Sequence, residues 1–146
     1  SYTYVEAQWQ QDLPNWIGGH VRALAFFGGV PEVLVPDNLK AGVQSPCRYE
    51  PDLNPTYHDL AQHYNVAVIP TRVRKPKDKA KVEVGVQVVE RWIAARLRNQ
   101  TFFGLVDLNA SIRKLLDELN SRQMRHLGQS RRQLFETLDR PALRPR

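Results

Sequence analysis

Val33-Leu34-Val35-Pro36-Asp37-Asn38 is a short, uniformly apolar run that stops on an acid, and Val66-Ala67-Val68-Ile69 is a second, closed by Pro70. Both are too short to be amphipathic helices and read as buried strands. Between them Asn54-Pro55 opens a helix, with Asn as cap and Pro in the first turn. Tyr57, Leu60, Ala61 and Tyr64 line one face of it, and Asn65 ends it. Strand, helix, strand is the order of a parallel crossover, so the expected class is α/β. Asp37 then falls at the carboxyl edge of its strand, where open α/β sheets place their chemistry.

Upstream, the alternation around Tyr2 and Tyr4 suggests a short strand. Residues from about Pro14 to Phe27 read as a helix, with Trp16 or Ile17, Val21, Leu24 and Phe27 at helical spacing and Gly28-Gly29 as the stop. Downstream, Asp78 is expected to cap a long helix to about Arg98, striped by Val82, Val86, Val89, Ile93 and Leu97. Asp107 caps another, with Leu108, Ile112, Leu115 and Leu119 inward. Ser130 to Gln133 forms a capping box before Leu134, Phe135 and Leu138. The tail from Arg140 to Arg146, with two prolines, is expected to be extended or disordered.

The 146 residues fit one domain, and a hydrophobic content of 42% is globular. Cys47 is the only cysteine, so no internal disulfide forms, as suits a reducing cytoplasm. No apolar run approaches the roughly 20 residues of a membrane span. The N-terminus lacks the features of a signal peptide and does not begin with Met, which reads as an excised piece of a longer protein or a processed product. The net charge of +6 is unevenly spread: residues 1–69 carry 3 cations and 7 anions, residues 70–81 carry 6 and 1, and residues 121–146 carry 7 and 2. Clustered positive charge favours a polyanionic partner.

The chemistry centres on two acids and the cations between them. Asp37 ends a strand; Glu83 is expected one turn into a helix, beyond Arg72, Arg74, Lys75, Lys77, Lys79 and Lys81. Carboxylates on rigid elements suit Mg²⁺ or Mn²⁺, and two ions bridged by acids can activate one oxygen and stabilise another in phosphoryl transfer. Lysines at alternate positions of an extended segment would point the same way and track a phosphate backbone. Taken alone, Glu83 reads better as the partner of Lys79 in an exposed salt bridge worth under ~1 kcal/mol; the acids and cations around it turn the reading toward metal. The histidines lack ligand spacing: His58 and His63 do not share a helix face, and His20 and His126 are isolated. Trp9, Trp16 and Trp92 read as core or partly buried anchors.

Three ordered strings carry a resemblance. Gly28-Gly29-Val30-Pro31 through Val35-Pro36-Asp37-Asn38-Leu39-Lys40, then Tyr57 to Tyr64, then Arg74 to Glu83 are similar to IstA-type insertion-sequence transposases of the retroviral-integrase superfamily. The resemblance implies a ribonuclease H-like fold with its first strands missing, followed by C-terminal helices. It also implies a triad of acids in which Asp37 is the second and Glu83 the third, with 45 residues between them. The first acid would lie upstream; Asp12, in polar sequence, is a poor substitute. On this reading residues 1–100 are part of a catalytic core, 101–139 a helical extension and 140–146 a basic tail. The parent protein would be a bacterial, cytoplasmic, nucleoid-associated enzyme that cuts and joins DNA at transposon ends and targets, forming a homo-oligomer with a helper ATPase. The chain alone would be inactive, and the unpaired edge of its Val33 strand would make it prone to self-association. A non-catalytic DNA-binding or assembly module is the alternative, and a nuclease on the same fold a weaker one.

Overall fold

Parallel pairing is present where the two apolar runs predict it. The computed structural model describes residues 2–10, 12–35, 55–68 and 76–146, and of residues 57 and 76–82 the backbone alone. Strand β1 (Val33–Leu34) lies parallel to β2 (Ala67–Val68), with Val33 opposite Ala67 and Leu34 opposite Val68. Ahead of β1 stands helix α1 (Leu13–Phe27), and α2 (Pro55–Tyr64) forms the crossover. These elements belong to one compact unit, residues 10–79 with 143–146; residues 1–9 with 80–142 form the other.

Local chemistry sets the helix ends of the first unit. The Asp12 carboxylate accepts from the Asn15 N–H at 3.0 Å, which starts α1. Gly28, at φ 77°, turns left-handed, and its N–H reaches the Leu24 and Ala25 carbonyls. Asn65, at φ 56°, ends α2 as its position predicts. Leu24, Val30, Leu60 and Ala61 are buried, whereas Val21 of the expected α1 face is exposed.

The C-terminal tail is anchored, and it is not extended from its start: Arg140–Ala142 form a 3₁₀ turn before the chain reaches Arg144. Arg144 and Val30 exchange backbone hydrogen bonds of 2.8 and 2.9 Å in an antiparallel bridge. The Arg144 guanidinium also donates to the Asn65 carbonyl at 2.6 Å and the Pro31 carbonyl at 3.3 Å. Gly29 permits this approach, because a Cβ there would come within 2.7 Å of Leu143 Cβ and 3.0 Å of the Arg144 carbonyl oxygen. Gly29→Ala is therefore expected to cost about 1 to 2 kcal/mol through overpacking. Chemical denaturation checks this, and unchanged stability would mean that the tail simply shifts aside.

Helix α3 (Pro76–Val89), which belongs to the second unit from Ala80 onward, passes through a π-helical turn (Glu90–Ala94) into α4 (Ala95–Leu97). The helix begins two residues before Asp78, so Asp78 sits inside the first turn and is not the cap. Pro76, with its fixed φ and missing N–H, suits the opening position. The expected apolar stripe also needs correction. Val86 is 52% exposed, and full burial begins only at Ile93, inside the π turn. A π turn accommodates an extra residue, which rotates the downstream turns by about 100° relative to a regular helix.

Helix α5 (Leu105–Ser121) starts at Gly104, leaving Asp107 in its first turn, where a carboxylate favours the helix dipole without capping it. Ile112, Leu116 and Leu119 are buried with Ile93 and Phe135. Leu115 is half-buried. Helix α6 (Arg131–Leu134) carries the predicted capping box between Ser130 and Gln133. It continues through a second π turn (Phe135–Asp139) and a 3₁₀ turn (Arg140–Ala142), and Leu138 there is exposed.

The Tyr2–Tyr4 segment is extended, but among the described residues it joins no sheet. Two asparagines of α5 hold it instead. Asn120 accepts from the Thr3 N–H at 3.0 Å and donates to the Thr3 carbonyl at 2.8 Å. Asn109 does the same for Ala7, at 2.7 and 3.1 Å. Each side-chain amide stands in for the peptide group of a neighbouring strand. The spacings agree: eleven helical residues rise about 16 Å, and four extended residues span about 14 Å. Tyr2 then stacks on Phe135, with ring centroids 4.4 Å apart.

Candidate active site and nucleic-acid interface

The carboxyl ends of β1 and β2 lie at one edge, because the strands are parallel. From Leu34 the chain continues to Asp37, and from Val68 to Arg72, Arg74 and Lys75; these four residues lie outside the described residues. Lys77, Lys79 and Lys81 fall on the backbone of α3, which corrects the expected extended strip. On a helix, positions 77 and 81 share a side, while 79 falls on the other. Position 79 is one turn ahead of Glu83, so these two share a face.

Glu83 is eight residues into α3, deeper than the expected single turn, and its side chain is exposed. A carboxylate on a regular helix is a hard oxygen donor of the kind Mg²⁺ and Mn²⁺ select. Among the described residues no group of three or more His, Cys, Asp or Glu converges on a point. Glu83 thus has the right donor chemistry, but the described residues do not by themselves form a complete cage.

The other candidates settle simply. His58, His63 and His126 are exposed, and His20 Nδ1 lies 2.9 Å from the Trp16 carbonyl oxygen. Trp16 and Trp92 are half-buried, as anchors should be, whereas Trp9 is 76% exposed. One cluster escapes a reading of the sequence. The Arg96 and Arg122 guanidinium carbons lie 4.4 and 3.8 Å from the Trp92 ring centroid. The spacing of Trp92 and Arg96, one helical turn, is the available signal for half of it; Arg122 follows α5 and can be placed only by the fold.

Among the described residues, no helix is long and apolar enough to cross a membrane. No protein-family model matches the chain. Its relatives are informative: they are named as transposases or putative transposases, several of them of insertion sequences. It is 52% identical over 145 residues to a Burkholderia multivorans protein named "Putative transposase for insertion sequence IS408", covering 99% of this chain and 28% of that protein. A Sinorhizobium fredii relative, "Putative transposase y4bL/y4kJ/y4tB", is 54% identical over 143 residues, 98% of this chain and 28% of its own length. The transposase of insertion sequence element IS21 of Pseudomonas aeruginosa is more distant, 28% identical over 143 residues, or 97% of this chain and 36% of that protein. The chain therefore spans between about a quarter and a third of the length of these relatives, and the resemblance drawn from its three strings holds.

Proposed function

We propose that the chain is part of an enzyme that cleaves DNA strands and joins them to new ones, built on a ribonuclease H-like core. The observation that carries this reading is the match to transposases along 97–99% of the chain. An exposed Glu83, one turn beyond the Lys79 position on α3, adds to it. Residues 1–100 would contribute to the core and 101–139 extend it. Asp37 and Glu83 would hold Mg²⁺ or Mn²⁺ together with an acid from outside these residues. Bound divalent metal supplies charge stabilisation to the attacking and departing oxygens of phosphoryl transfer. Arg72, Arg74, Lys75, Lys77, Lys79 and Lys81 would neutralise phosphates and hold the backbone in register, with little base discrimination. The full-length protein would work in the bacterial cytoplasm at the nucleoid, on transposon ends and target DNA. It would act as a homo-oligomer with a helper ATPase, and these residues alone would not catalyse transfer.

The test is salt-dependent binding of duplex DNA by the full-length protein and by a variant with Lys75, Lys77, Lys79 and Lys81 changed to Ala. Each lost phosphate contact should flatten the log–log salt slope by about 0.9, so a fall of roughly 2 to 4 is expected. Equal affinity and equal slope in the two proteins would dismiss the strip.

A further inference from the structure

The π turn in the α3–α4 helix presents Trp92 toward the C-terminal half of α5. There, Trp92, Arg96, Leu115, Glu118, Leu119 and Arg122 line a cavity of about 220 Å³. We propose that this pocket is a second DNA contact, in which Arg96 and Arg122 grip backbone phosphate. The inference rests on the transposase reading for its ligand, and adds a site distinct in sequence from the basic segment 72–81.

A guanidinium held over an indole by cation–π attraction retains N–H donors for two-pronged acceptors such as phosphate. That attraction also restricts the side chain beforehand, so less freedom is lost when the anion arrives. Two guanidinium groups already engage the Trp92 ring, which leaves it poorly placed to stack a nucleobase. The geometry therefore favours phosphate over base.

Charge points the same way. Arg132 is neutralised by a hydrogen-bonded ion pair with Asp117. Arg122 and Arg131 have no carboxylate partner among the described residues. Burial, and then the charge of Arg122, hold the Arg131 guanidinium below its ordinary proton affinity. Arg96 faces Glu118 at 3.9 Å with both side chains open to solvent, so screening leaves the contact weak. A phosphate would meet the unneutralised positive charge of this cluster and displace the weak Glu118 contact.

Salt titration of full-length protein with a duplex oligonucleotide of arbitrary sequence tests this. Arg122→Ala should flatten the salt slope by about 1, and Arg96→Ala combined with Arg122→Ala by about 2, with uniform loss across sequences. Glu118→Gln should tighten binding a few-fold, because it removes an anion that competes with phosphate; a merely structural cluster would not respond this way. Circular dichroism establishes that the variants keep their helices. A double variant with the wild-type slope, or a Glu118→Gln protein that binds no tighter, overturns the pocket assignment while leaving the basic segment in place. A wild-type protein without affinity for duplex DNA removes both.

Discussion

Glu83→Gln in the full-length protein is expected to reduce strand transfer by roughly 10³-fold or more while leaving DNA affinity nearly unchanged, given what removal of one member of a concerted catalytic group costs. The substitution preserves shape and removes charge, exchanging one acceptor oxygen for a donor amide that no hard cation would accept. Because Glu83 is exposed on α3, the change should shift stability by no more than about 0.5 kcal/mol. Lost activity could then not be blamed on unfolding. Asp37→Asn should behave in the same way. Strand transfer measured on labelled transposon-end duplexes, beside a gel-shift of the same proteins, separates chemistry from binding. Transfer that survives either substitution rules out the paired-carboxylate assignment.

How much of the fold is legible in the sequence depends on how far apart the interacting residues lie. The β1–α2–β2 crossover is legible because its signals are local: two apolar runs, an Asn-Pro opening, and an Asn whose left-handed backbone ends the helix. The Ser130–Gln133 box is legible for the same reason. The seat of the tail is not, since Arg144 meets Val30, Pro31 and Asn65 only through the fold. Nor is the π turn at Glu90–Ala94, which makes the periodicity of Val82 to Leu97 a misleading guide to burial. At the candidate site, the helical setting of Glu83 is legible. The lysine alternation misleads, because Pro76 opens the helix instead of marking a loop. Asp37 lies outside the described residues, so its partnership with Glu83 rests on the strings that carry the resemblance.

The asparagine clamp leads to the largest stability effect expected of a single polar substitution here. Asn120 is fully buried, and its amide satisfies both backbone groups of Thr3 across 117 residues of sequence. Asn120→Ala leaves a buried donor and a buried acceptor without partners, and should cost about 2 to 3 kcal/mol. That approaches the roughly 3 kcal/mol expected for cutting the neighbouring core residue Leu116 to Ala. Asn120→Asp is the sharper comparison: it keeps the acceptor for the Thr3 N–H, loses the donor and buries a charge, so it should cost at least as much. Asn109→Ala should cost less, because Asn109 is only half-buried and water can reach Ala7 in its place. Urea denaturation of the three variants gives the ranking. The Asn120→Ala protein should also lose the Tyr2–Phe135 stack, visible as a change in near-ultraviolet circular dichroism. A loss below about 0.5 kcal/mol, the range of ordinary surface substitutions, would mean that residues 2–8 peel away from α5 at little cost. The extended segment would then be a passenger on the helix and not part of what holds Ile112, Leu116 and Leu119 out of water.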